Sequence, residues 1–173
     1  MQPERTLVVI KPDGVQRSLA GKIISYYEGA GLKITAMKML SVGRDFISRH
    51  YPSGREYLLS IGQKGVKAGE ILDTEKKLLD YGMMIVRGMR DYMTSGPVVA
   101  MIIEGNDAIK RVRQITGYTD PAAAEKGTIR GDLGTDTIAK ANAERRPVRN
   151  LIHASGNAEE ARHEIALWAP EMK

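Results

Sequence analysis

Two apolar runs set the limits on what this chain can fold into. Thr6-Leu7-Val8-Val9-Ile10 and Val98-Val99-Ala100-Met101-Ile102-Ile103 lack the polar alternation of a half-solvated strand. Each must be covered on both faces, which predicts strands in the interior of a sheet flanked by helices. Between and beyond them the periodicity changes. Lys11-Pro12-Asp13-Gly14 has turn chemistry. Leu19, Ala20, Ile23, Ile24 and Tyr27 recur at helical spacing, with Ser18 as candidate N-cap and Gly29 and Gly31 as a stop. Ile34 to Val42 predicts a second strand and Phe46 to Tyr51 a short helix. Ser53 to Gly69, rich in glycine and lysine, predicts a loop, whereas Glu70–Asp80 and Met83–Met93 predict helices broken by Thr94-Ser95-Gly96-Pro97.

After the second apolar run, Ala108, Ile109, Val112 and Ile115 mark a helix that starts near Asn106 and ends at Gly117. Thr119 to Ala143 has little periodicity, and loops of that length are usually functional. Val148 to Ile152 predicts a last strand. Ala158, Ala161, Ile165 and Trp168 mark a last helix, with Glu159 and Glu160 suited to its positive N-terminus. The order is β-α-β-α-β-α-β-α with extra helical material before the third strand. It predicts one α+β domain: a four-stranded sheet backed by helices, which the ferredoxin-like βαββαβ arrangement fits.

The bulk numbers agree. At 173 residues the chain can bury one sizeable core, and 42% hydrophobic with 27% charged residues describes a globular rather than a disordered sequence. A net charge of +5 suits anionic partners, although charge spread over a surface accounts for it equally well. With no cysteine there is no disulfide framework, thiol nucleophile or cysteine-bound zinc. Met1-Gln2-Pro3-Glu4-Arg5 lacks a signal-peptide pattern and no stretch is as long as a membrane span, so the expected location is the cytoplasm.

Two familiar motifs fail. Gly14 and Gly21-Lys22 are too far apart for a phosphate-binding P-loop, and Ile23 stands where a magnesium-binding Ser or Thr is needed. His163-Glu164 opens like a zinc-protease helix, but Leu167 occupies the second histidine position. His50, beside Tyr51, is expected on the surface. The segment Arg149-Asn150-Leu151-Ile152-His153-Ala154-Ser155-Gly156-Asn157 is different. It puts a histidine at the end of a strand-like run just before a helix N-terminus, where orphan N–H groups favour anions. Lys11, just past the first buried strand, has no packing reason to be there. Arg113 lies beside the apolar stripe of its helix, and Arg130 sits in the aperiodic segment. Cations gathered around a neutral imidazole are suited to clamping a polyphosphate while the imidazole attacks its terminal phosphorus.

These residues resemble nucleoside diphosphate kinases. The similarity lies in T-L-V-V-I-K-P-D-G-V from Thr6, M-T-S-G-P-V-V-A-M-I-I-E from Met93, T-D-P…G-T-I-R-G-D from Thr119, and N-L-I-H…E-I-A-L-W from Asn150. Four separated motifs stand in the family's order. The resemblance implies a ferredoxin-like fold and a ping-pong transfer of the terminal phosphate of ATP or another nucleoside triphosphate to a nucleoside diphosphate, through a phosphohistidine at His153. It implies that Lys11, Arg113, Arg130 and Thr119 contact phosphates and that Asn150 binds the sugar hydroxyl. It further implies that Tyr51 shapes the histidine pocket, and that Glu164 orients His153 with Ser155 in the same polar network. Ile85 and Met89 align with the base-binding positions. Magnesium is implied as cofactor, held by nucleotide phosphates with no ligand from the protein. A homo-oligomer, hexamer or tetramer of dimers, is implied, with neither membrane nor nucleic acid as partner.

Three departures stand out. The family usually has His-Gly-Ser-Asp, where this chain has His153-Ala154-Ser155-Gly156. Ala154 fits if its backbone avoids positive φ, and Gly156 removes a carboxylate. Two insertions are expected, near 53–85 and 135–149, the latter carrying Arg145-Arg146-Pro147-Val148-Arg149. That run, with the basic balance and the altered base-binding segment, would suit a nucleic-acid-binding module, but a solvated surface loop is the favoured reading of the run.

Overall fold

The computed structural model describes residues 3–67 and 69–173. Met1 and Gln2 of the N-terminal motif, and Ala68 of the expected 53–69 loop, lie outside the described residues. In chain order the elements are β1 (Glu4–Ile10), α1 (Pro12–Gln16), α2 (Ala20–Gly29), β2 (Lys33–Leu40), α3 (Arg44–His50), α4 (Arg55–Lys67), α5 (Glu75–Met93), β3 (Val98–Gly105), α6 (Ala108–Thr116), α7 (Ile129–Leu133), α8 (Ile138–Ala143), β4 (Ile152–Ala154) and α9 (Ala158–Trp168). Short 3₁₀ turns occupy Pro121–Ala123 and Ala169–Met172. By internal contacts the chain divides into two units, one comprising residues 1–41 and 96–173, the other Val42–Ser95.

The first unit holds the whole sheet, in the order β2-β3-β1-β4 with every pair antiparallel. The two apolar runs are its central strands. They are buried because each is paired on both edges and covered on both faces. Thr6, Val8 and Ile10 face one layer, which Ile23 and Tyr27 of α2, Ala108 and Val112 of α6, and Ile129 of α7 complete. Leu7 and Val9 face the other, against α9, whose Ala161 and Trp168 are buried. The α+β sheet expected from the sequence is therefore present, in ferredoxin-like order.

The second unit is helical. Most of the 53–69 stretch, expected as a loop, instead forms α4, and Glu70–Asp80 with Met83–Met93 merge into the single helix α5 from Glu75. The glycines that suggested a loop serve close packing: a Cβ at Gly62 would lie 2.7 Å from the Leu78 carbonyl oxygen, and one at Gly65 would lie 2.6 Å from the Tyr81 ring. Two antiparallel helices approach more closely where side chains are missing, and the packing outweighs the cost of glycine in a helix. Thr74 caps α5, its hydroxyl accepting the Lys77 N–H at 3.2 Å. His50 is buried, not on the surface as expected, because it falls on the inward side of α3 with Ile47.

Other expectations shift locally. Lys11-Pro12-Asp13-Gly14 leads into α1 rather than ending in a turn, with Pro12 at the first helical position. Ser18 does not cap α2; it adopts φ 55°, and Leu19 precedes the helix without a side-chain cap. The 119–143 stretch contains α7 and α8, each capped by a threonine hydroxyl. The last strand is β4, so Val148–Leu151 lie outside it.

Candidate active site

His153 stands in β4 opposite Val9. It shares the α9 side of the sheet with Ser155, two residues on, because side chains alternate along a strand. Glu164 reaches both from α9. Its Oε1 accepts from His153 Nε2 at 2.8 Å and its Oε2 accepts from the Ser155 hydroxyl at 2.6 Å. Ser155 Oγ in turn accepts the Leu7 N–H at 3.3 Å. A carboxylate on Nε2 fixes the tautomer with the proton there, so the ring's lone pair lies on Nδ1. Glu164 and Ser155 are buried and His153 is half-buried. The sequence pattern paired these residues through the resemblance, and the structure brings all three together.

The second cluster lies at the end of β1. Lys11 is buried, and its Nζ donates to Asn150 Oδ1 at 2.8 Å. Asn150 Nδ2 donates to the Thr119 carbonyl at 2.9 Å. Arg130 from α7 gives its guanidinium to three backbone carbonyls: Asn150 at 3.0 Å, Gly117 at 3.1 Å and Ile152 at 2.7 Å. Burial, and then the charge of Arg130, lower the Lys11 pKa from its ordinary 10.5 to about 7, with Asp13 opposing the shift. Two cations so close, one of them buried, favour an anion beside them.

The two clusters are joined by a strained backbone. Leu151, fully buried, has φ 69°, and the Ile152 N–H donates back to the Asn150 carbonyl at 2.8 Å around it. A leucine in that three-residue turn is unfavourable and persists only where the surroundings enforce it. Here Asp13 Oδ2 accepts the Leu151 N–H at 3.2 Å and the Leu151 carbonyl accepts the Lys11 N–H at 2.8 Å. Asp13 was not singled out in the sequence. Its only signal is its place after Lys11-Pro12, where a helix first turn favours an acid.

The remaining expected residues divide between the two units. Arg113 is exposed on α6 and lines a cavity of about 370 Å³ with Glu4, Lys110 and Gly156. The Thr119 side chain is exposed. Tyr51, Ile85 and Met89 belong to the second unit. There Tyr51 is buried, its ring edge-on to His50 at 4.4 Å and its carbonyl held by Arg90 at 2.9 and 2.6 Å. Ile85 and Met89 are half-buried neighbours on one face of α5.

The departures also resolve. Ala154 is part of β4 and is absent from the residues with positive φ, so the missing glycine costs nothing there. In the 135–149 stretch, buried Asp136 takes Arg146 in a two-pronged pair at 2.6 and 2.9 Å and the Arg149 N–H at 2.8 Å. Arg146 also meets Glu144 at 2.6 Å. The basic run thus spends part of its charge internally. Arg146 holds the Asp136 carboxyl far below the usual carboxylate range.

Comparison with known proteins places this geometry. The family model described as nucleoside diphosphate kinase matches residues 4–58 and 80–173. A nucleoside diphosphate kinase of Pyrobaculum aerophilum is 46% identical over 99% of this chain and 97% of its own length. The crystal structure of an NDP kinase from the same organism covers 96% of this chain and 95% of that one, with a TM-score of 0.89 at 44% identity. A Borrelia burgdorferi nucleoside-diphosphate kinase, solved as a transition-state mimic with bound vanadate and ADP, superposes with a TM-score of 0.79 at 30% identity over 97% of this chain and 88% of that chain. Family match, relatives and fold agree: the chain belongs to the nucleoside diphosphate kinase family.

Proposed function

We propose that this chain moves the terminal phosphate of a nucleoside triphosphate onto a nucleoside diphosphate by way of a phosphorylated His153. The observation that carries the assignment of His153 is its 2.8 Å hydrogen bond from Nε2 to Glu164, itself anchored by Ser155. In the first half-reaction Nδ1 gives its lone pair to the γ-phosphorus. The bond to the β,γ-bridging oxygen breaks, and the diphosphate departs with that electron pair. Glu164 stabilises the proton left on Nε2 as positive charge develops on the ring. In the second half a terminal oxygen of the incoming diphosphate attacks the phosphohistidine and restores Nδ1. A P–N bond retains the transfer potential that a serine ester would lose, so the reaction runs in both directions.

Lys11, Arg113, Arg130 and the Thr119 hydroxyl contact the phosphates in this scheme, and Asn150 binds the sugar hydroxyl. An arriving polyphosphate brings its negative charge to the Lys11–Arg130 pair, and Lys11 takes up a proton as it binds. Tyr51 shapes the histidine pocket, and Ile85 and Met89 give the base an aliphatic seat, so base selectivity is weak. Magnesium fits through the nucleotide alone. The cluster on the first unit is cationic, and its one carboxylate at His153, Glu164, is committed to His153 and Ser155. The ion would be held by the nucleotide and would supply positive charge to its phosphates.

The chain acts as a single family domain with insertions near 53–85 and 135–149; the family match leaves 59–79 unmatched, which supports the first. It works as a homo-oligomer, hexamer or tetramer of dimers. Edge strand β2 offers Met37 and Met39, 52% and 58% exposed, as apolar surface for a second copy. No helix among the described residues is long and apolar enough to cross a membrane, and the cytoplasm is the proposed compartment.

The test is incubation with γ-labelled ATP. Wild type should form an acid-labile, base-stable phosphoenzyme, and His153→Gln should form none. Equal labelling of the two proteins would sink the assignment.

A further inference from the structure

Gly156 stands where the family usually has a carboxylate, and a carboxylate from another position reaches its backbone N–H. Glu160, in the first turn of α9, folds back over the segment that leads out of β4. Its Oε2 accepts the Gly156 N–H at 2.8 Å and its Oε1 accepts from Asn157 Nδ2 at 3.0 Å. Asn157 completes the exchange, its Oδ1 accepting the Glu160 N–H at 2.9 Å. This differs from an ordinary capping box, in which the glutamate would reach the N–H of the cap residue itself. Here it reaches one residue further, to position 156.

Glycine at 156 is a matter of space and not of backbone conformation, because its φ is not positive. An added Cβ would lie 2.7 Å from Glu160 Oε2 and 3.3 Å from Cδ. Gly156 and Glu160 are therefore complementary: the side chain absent from one makes room for the carboxylate of the other. One helical turn further along α9, Glu164 holds His153 and Ser155. At i and i+4 the two glutamates lie on one side of the helix and grip the 153–157 segment at successive points.

We propose that Glu160 is a positioning residue for His153, standing in for the carboxylate that Gly156 removes. The proposal rests on phosphotransfer through His153. Its loss removes the side-chain tie on the Gly156 N–H and Asn157 Nδ2, so that Glu164 orients the imidazole against a segment held at its far end by the Asn157 Oδ1 cap alone. Misplacement of a reacting group raises the barrier without weakening nucleotide binding.

The test is single-turnover phosphorylation of the full-length protein by γ-labelled ATP, for wild type, Glu160→Ala, Gly156→Asp and the double variant. Glu160→Ala should lower the phosphorylation rate at saturating ATP by about tenfold while leaving the ATP concentration at half-maximal rate unchanged. Gly156→Asp alone should be at least as slow, because two carboxylates then compete for one place. The double variant should recover most of the wild-type rate, since the carboxylate returns from position 156 as the one at 160 is removed. Thermal melts of the four proteins separate folding from positioning. An unchanged rate in Glu160→Ala, or single losses that simply add in the double variant, would overturn the role of Glu160. Wild type that never labels at His153 would overturn the underlying chemistry instead.

Discussion

Two adjacent stretches, residues 135–149 and 150–157, solve the problem of ordering irregular backbone in different ways. The 150–157 segment is held by buried hydrogen bonds from many directions: Lys11, Asp13, Arg130, Ser155 and Glu164 all act on it or from it. It keeps a strained leucine in place at φ 69°. Outside α8, the 135–149 segment is held by two carboxylates: Asp136 takes Arg146 and the Arg149 N–H, and Asp120 takes the Ile138 N–H. Placement to a fraction of an ångström needs many independent restraints, which only a buried network supplies. Order alone needs far less, and a partly exposed ion pair suffices.

Breaking the first stretch should cost chemistry, and breaking the second should cost stability. The largest effect is expected from Lys11→Met. It removes a cation from the proposed phosphate site and should lower turnover by about a hundredfold or more. Stability should move the other way. The folded chain releases the Lys11 proton near pH 7, whereas the unfolded chain keeps it to 10.5. The buried charge therefore destabilises the fold in full below pH 7, and the penalty fades as pH rises toward 10.5. Wild type should gain stability across that window relative to Lys11→Met, as denaturant melts at several pH values would record. Binding of ADP above pH 7 should take up protons in wild type alone, measurable by calorimetry in buffers of different ionisation enthalpy.

Asp136→Ala should be intermediate. It strands a half-buried guanidinium and a backbone N–H, at a cost of about 2–3 kcal/mol, with turnover changed much less than in Lys11→Met. Because Arg146 depresses the Asp136 carboxyl, its stabilisation is complete above about pH 4 and is lost as pH falls toward the folded value. The variant should lose less stability than wild type in that acid range. A turnover loss as large as that of Lys11→Met would erase the contrast between the two stretches. The smallest effect belongs to the exposed Lys76–Asp80 pair on α5, 2.6 Å apart at i,i+4. Asp80→Ala should alter neither melting temperature nor turnover appreciably.

Much of this was legible along the chain. The apolar runs at 6–10 and 98–103 locate the central strands because strands covered on both faces must be apolar throughout. Lys11 was visible because a charge just past a buried strand has no packing reason to be there. The α4 helix was not legible, since glycine reads as a loop former unless another helix comes close enough to need it. Nor was the Gly156–Glu160 pair, although Asn157-Ala158-Glu159-Glu160 carries the spacing of a helix cap.

The sequence by itself determined the sheet, the helical faces and the chemistry available near His153, because those follow from local periodicity and side-chain type. The tertiary structure alone decided which nitrogen of His153 carries the proton, where the Lys11 proton resides and which carboxylate braces the segment after the histidine. Each of these depends on distances between side chains in the folded molecule, on burial, and on the room left by a missing side chain. Local periodicity and side-chain type encode none of those quantities.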